Sequence, residues 1–123
     1  KPDLASYYGN LGTAYFAKKD YEKATIAYTE AIRLDPGIFD RVSRGGISAQ
    51  MSSPEDRARF SYVLAKLYAK SGLFDQSLQY LRRALEEGYP QVENAYKDEE
   101  FAELRKDPRF DQLMHERPTV IPQ

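Results

Sequence analysis

The chain has 123 residues, is 41% hydrophobic and 30% charged, and carries a formal charge of −1. That length suits one domain able to bury roughly two-thirds of its unfolded surface, and near-neutrality supplies no general attraction for nucleic acid or an anionic membrane. With no cysteine and a single histidine, His115, the sequence offers no disulfide, no thiolate nucleophile, no His-pair metal site and no metal or other cofactor.

Along the chain, Leu4, Tyr7, Tyr8, Leu11, Ala14 and Tyr15 recur at intervals of three and four, which predicts one apolar face of a helix. After Asp20, a candidate N-cap, the residues Tyr21, Ala24, Ala27, Tyr28, Ala31 and Leu34 repeat the rhythm, and Pro36 and Gly37 stop it. So short a connection makes the pair an antiparallel hairpin. Gly12 and Ala24 are the small residues expected where the two helices cross. "SPED" at 53–56 then reads as an N-cap, a proline in the first turn and a capping box. Phe60, Leu64, Leu67 and Tyr68 follow on one face as far as Gly72. Phe74, Leu78, Leu81 and Leu85 build a partner helix that Gly88 closes. Adding 53 to the residue numbers of the first hairpin overlays Ala5 on Ala58, Leu11 on Leu64, Tyr15 on Tyr68 and Ala31 on Ala84. The two hairpins are an internal repeat.

The order Tyr8-x2-Leu11-Gly12-x2-Tyr15, then Ala24-x3-Tyr28, Ala31 and Pro36, resembles a tetratricopeptide repeat over residues 5–38, with tyrosine replacing the usual tryptophan. A looser copy occupies 58–91, where Ser61, Ala65, Ser77 and Leu81 stand in place of the commoner Trp, Gly, Ala and Phe. The resemblance implies an all-α fold, an α-α superhelix of two hairpins. Residues 39–57 are an inserted connection of 19 residues, longer than compact domains usually carry without purpose. Phe39, Val42, Ile47 and Met51 give it enough apolar surface to pack as an ordered spacer, which is preferred to a flap over the groove. Residues 92–117 are expected to form a helical cap, Glu99 to Arg105 and Pro108 to about Glu116, with Asp98 and Asp107 as caps. It would cover an apolar face that the last hairpin leaves open. The segment "EFAELRKDPRF" resembles tails that follow such arrays in bacterial proteins, and residues 118–123 read as a loose tail.

Members of this family typically bind extended peptides on a concave wall made by the first helix of each repeat. Carried over here, the implied wall is Ser6, Gly9, Asn10, Thr13, Phe16 and Ala17 from one helix and Arg59, Tyr62, Val63, Lys66, Ala69 and Lys70 from the other. The expected binding residues are Asn10, Thr13, Phe16, Arg59, Tyr62, Lys66 and Lys70. Three cations and no acid point to a protein or peptide partner that is acidic or presents a C-terminal carboxylate. An exposed ion pair contributes only ~0–1 kcal/mol, burying an aromatic roughly 1.5–3 kcal/mol, and a micromolar complex needs about 8 kcal/mol. Charge would therefore orient, and Phe16 and Tyr62 would hold. The carboxylate clamp of chaperone-binding members is disfavoured, because Gly9, Thr13 and Val63 stand where its lysine and asparagines belong.

Blander readings apply elsewhere. The ten tyrosines resemble a stacking platform for single strands, but Tyr8, Tyr15, Tyr28 and Tyr68 fall on core positions, so no nucleic acid is expected. Glu86–Glu87 and Glu99–Glu100 are neighbours that diverge by ~100° on a helix, and no nucleophile–base set can be assembled, so no enzyme is expected. Gly45 and Gly46 mark a turn. No apolar run nears the ~20 residues of a membrane span, and no signal peptide is seen. The start at Lys1 rather than Met suggests trimming or processing, which leaves the compartment open between cytoplasm and export after loss of a leader. The alternative to peptide binding is a self-associating assembly subunit, a homo-oligomer paired through an uncovered Leu4, Tyr8 or Tyr28 surface.

Overall fold

The computed structural model describes residues 3–42 and 53–117. Among them there is helix and turn but no strand. The chain divides into two compact units, Lys1–Ser52 and Ser53–Gln123. Residues 43–52, with the glycine turn and the spacer-or-flap question, lie outside the described residues, as does the tail at 118–123.

In the first unit α1 (Leu4–Ala17) and α2 (Tyr21–Leu34) pair as a hairpin, and the short α3 (Ile38–Val42) follows. Asp3 and Asp20 cap the two long helices through bonds from Ala5 N and Lys23 N. These satisfy backbone donors that a helix start leaves open. The turn between them is a Schellman closure: Asp20 N bonds Tyr15 O at 3.0 Å and Lys19 N bonds Phe16 O at 2.9 Å, with Lys19 at φ 62.

The helical period of α1 is as expected, but the buried face is rotated. Ala5, Gly9, Gly12, Thr13 and Phe16 are buried, whereas Leu4 and Tyr7 are 62% and 55% exposed, Tyr8, Leu11 and Tyr15 are half-exposed, and Ala14 is exposed. The reason is the way α1 meets α2. Its small residues let the backbones approach, and the Tyr28 ring of α2 fills the notch above Gly12, where an added Cβ would stand 2.6 Å from two ring carbons. Tyr28 is fully buried, its hydroxyl lies 3.0 Å from Thr13 Oγ1, and Phe39 of α3 meets its ring edge-on at 5.2 Å. Burial of the Tyr28 hydroxyl raises its pKa, opposed in part by the Thr13 bond.

The second unit repeats the plan with α4 (Pro54–Lys70) and α5 (Phe74–Glu86). Ser53 caps α4, accepting from Glu55 N and Asp56 N, with Pro54 in the first turn, so the helix starts inside the inserted connection as "SPED" predicts. Both helices of this unit end in Schellman closures on glycine, Gly72 at φ 79 and Gly88 at φ 77. Leu73 N bonds Tyr68 O and Tyr89 N bonds Ala84 O, each at 2.9 Å. Tyr68, Tyr80, Leu64, Leu81 and Ala84 are completely buried. Ser77, also fully buried, donates to Ala65 O at 2.6 Å, which settles its hydroxyl where an alanine is commoner.

The end of the chain departs from expectation. Residues 99–105 do not make one helix. Val92–Tyr96, Glu99–Phe101 and Leu104–Lys106 are three short 3-10 turns before α6 (Pro108–His115). Asp107 caps α6 as predicted, accepting from Arg109 N at 2.9 Å. Asp98 makes no cap bond to the turn it precedes. Phe101 and Leu104, three apart and both fully buried, suit a turn of three residues better than one of 3.6. The Arg105 guanidinium takes up the carbonyls of Ala95 and Asp98 at 2.9 and 2.8 Å.

Candidate protein-interaction surface

Of the residues expected to face a partner, the structure keeps Asn10 and the three cations accessible and turns the others inward. Asn10 on α1 is exposed, Arg59 and Lys66 on α4 are half-exposed, and Lys70 is exposed. Thr13 is 9% exposed and donates to Gly9 O at 3.0 Å within its own helix. Phe16 is 3% exposed, with Tyr21 of the same hairpin edge-on at 5.0 Å. Tyr62 is 2% exposed. The expectation that Phe16 and Tyr62 present open aromatic faces, with Thr13 beside them, is therefore corrected: all three are packed inside the chain.

What covers Tyr62 is the segment that follows α5. Tyr89 stacks on its ring at 4.5 Å and Phe101 meets it edge-on at 5.7 Å. The Tyr62 hydroxyl donates to Asp98 Oδ2 at 2.7 Å. Burial raises the pKa of that hydroxyl most, and the bond to Asp98 and its negative charge add to the rise. On the open side the Lys66 ammonium sits 5.5 Å from the Tyr62 ring centre, a cation–π contact. One turn further along α4, Ala69 and Lys70 border an open cleft of about 390 Å³ whose other wall is Glu99, Glu100, Ala102 and Glu103.

The sequence pointed to Asp98 only as a helix cap and did not single out Tyr89. One signal was available for Tyr89. It follows the left-handed Gly88, and the residue after such a glycine commonly makes an apolar contact back onto its helix. Nothing local predicts that Asp98 reaches a tyrosine 36 positions earlier. Of the paired carboxylates, Glu87 accepts from the Ser61 hydroxyl of α4 at 2.7 Å, and its burial raises its pKa. His115 is exposed and its Nδ1 lies 2.8 Å from Asp111 O in its own helix.

Two family models match the chain, both described as tetratricopeptide repeat, over residues 5–38 and 58–87. The chain belongs to the tetratricopeptide repeat family, a family of protein-interaction modules. Comparison with curated proteins and with solved structures gave no match. The second match ends at 87, next to the Gly88 closure, a few residues short of the expected 91. No helix among the described residues is long and apolar enough to cross a membrane.

Proposed function

We propose that this chain is a non-catalytic docking module that holds an acidic or C-terminal segment of another protein against α4. The observation that carries the reading is the ladder of Arg59, Lys66 and Lys70 on one helix, with the Lys66 ammonium seated over an aromatic ring. Lys66 and Lys70 are one turn apart, so a single carboxylate-bearing segment can address both.

The test is affinity capture with the full chain and its Lys66→Glu/Lys70→Glu variant. Both side chains reach solvent, so the variant stays folded by circular dichroism. Its melting temperature falls modestly, because Lys66 leaves the Tyr62 ring and residue 70 then faces Glu99, Glu100 and Glu103. The captured partner falls at least about fivefold, the effect of reversing two charge contacts. Equal retention by wild type and variant counts against the reading. Tyr62→Ala is not a clean probe, because emptying a buried aromatic site costs about 3–5 kcal/mol of stability by itself.

A second reading, association of two copies, is favoured by the apolar surface of the first unit. Leu4, Tyr7 and Ile26 are 62%, 55% and 66% exposed. Tyr28, fully buried, takes no part in such a surface.

A further inference from the structure

The cations of α4 are too weak to hold a partner alone. Three exposed charge contacts at ~0–1 kcal/mol each fall well short of the about 8 kcal/mol of a micromolar complex. The aromatic surface that would make up the difference is Tyr62, and the chain itself occupies it. The occupant is the stretch Asp98-Glu99-Glu100-Phe101-Ala102-Glu103, an acid followed three residues later by an aromatic. Its Asp98 accepts from the Tyr62 hydroxyl, its Phe101 ring lies against the Tyr62 ring, and its three glutamates share the cleft with Lys70. In charge and in aromatic content this stretch has the chemistry expected of an external ligand, and it belongs to the same compact unit as α4.

We infer that residues 98–103 are a built-in competitor for the α4 surface, and that the partner is a peptide of the same kind, a carboxylate side chain three residues before an aromatic, which binds by displacing them. This inference rests on the docking reading above. Displacement would be an exchange of like for like, because Phe101 is fully buried against the Tyr62 ring and an external aromatic would take the same place. The segment's backbone holds a single 3-10 turn, Glu99–Phe101, whose i to i+3 bonds have poorer geometry than those of an α-helix. Among the described residues, its side-chain hold on α4 includes one hydrogen bond to a charged acceptor. Because the segment is tethered, it acts at a high effective concentration, and an external peptide sees only the fraction of molecules in which Tyr62 is uncovered. The full chain would then bind such peptides weakly until the Asp98 contact is loosened.

The experiment measures binding of a fluorescein-labelled synthetic peptide with the sequence of residues 97–106, KDEEFAELRK, to the full-length chain by fluorescence anisotropy. Asp98→Ala removes the Tyr62 contact from the internal segment and leaves it available to the peptide, so this variant should bind about tenfold tighter than wild type, the usual effect of a hydrogen bond to an ionised group. Adding Lys66→Glu should cancel the gain, and a peptide with its acids replaced by Asn and Gln should not bind. Hydrogen exchange on the wild type gives a readout that needs no variant: saturating peptide should speed exchange of the amides of residues 98–104. Equal peptide affinity for wild type and Asp98→Ala, equal affinity for the acidic and neutral peptides, or unchanged exchange with peptide bound would each overturn the inference. Should captured partner still depend on Lys66 and Lys70 while the peptide affinities are equal, this inference fails and the docking reading stands. Should partner capture ignore both lysines, the docking reading itself fails.

Discussion

Gly12→Ala tests how the first hairpin is held together. A methyl at position 12 would lie 2.6 Å from the Cδ1 and Cε1 atoms of Tyr28, about 1 Å inside ordinary carbon contact. The ring has little room to yield, because it is fully buried, bonded through its hydroxyl to Thr13 at 3.0 Å and met by Phe39 at 5.2 Å. Overpacking of this kind costs about 1–3 kcal/mol. Replacing a glycine inside a helix by alanine returns about 1 kcal/mol of propensity, so the net loss should reach about 2 kcal/mol, at the upper end of that cost because the ring cannot move aside. With an m-value near 2 kcal/mol per molar, the urea midpoint followed by far-ultraviolet circular dichroism should fall by as much as about 1 M. The second hairpin shows the remedy. Adding 53 places Ala65 at the position of Gly12 and Leu81 at that of Tyr28, and both are fully buried: the alanine is accommodated where the facing ring is absent. In a Tyr28→Leu background, Gly12→Ala should therefore become stabilising, by about 1 kcal/mol. If Gly12→Ala has the same effect with and without the tyrosine ring, the close approach at residue 12 is not what shapes this hairpin.

Lys19 holds a left-handed conformation at φ 62 in the turn where the second hairpin has Gly72. Lys19→Gly should raise stability by roughly 0.5–1 kcal/mol, the strain relieved less the added freedom of the unfolded chain, and a lower urea midpoint would contradict this. For the self-association reading, light scattering should show a mass that rises with concentration through the micromolar range and that Tyr7→Ser returns to one chain. A strict monomer at every concentration rejects it.

Much of the fold was legible because its signals are local. Periodicity at three and four gave both hairpins, and Asp20, Ser53 and Asp107 were recognisable as caps because a short polar side chain beside an apolar rhythm has few other uses. The glycine at 88 marked the end of α5 through its freedom at positive φ. The errors lie where a choice depends on what stands opposite. The heavier apolar stripe of α1 was expected inside, but helix-to-helix approach selected the small one, so Leu4 and Tyr7 face outward while Gly9, Thr13 and Phe16 are enclosed. In the last third, Asp98 next to Glu99 looks like a cap from composition alone. Its carboxylate bonds Tyr62 instead, and the turn after it tightens to 3-10 geometry.

The candidate site divides along the same line. Arg59, Lys66 and Lys70 of α4 are half-exposed or exposed, as spacing alone suggests, since long charged side chains reach solvent whatever packs beneath them. Whether Phe16 and Tyr62 were open or covered could not be read from spacing, because both faces of α4 carry apolar residues, and the residues that close over Tyr62, namely Tyr89, Asp98 and Phe101, all come from the segment after α5. By itself, then, the sequence determined the family, the two helical pairs and their ends, for these follow from backbone hydrogen bonding and near-neighbour pattern. Only the tertiary structure decided which stripe of each helix is interior and that an acidic, aromatic stretch of the chain lies on its own basic helix, because burial is a property of surfaces that meet across long separations.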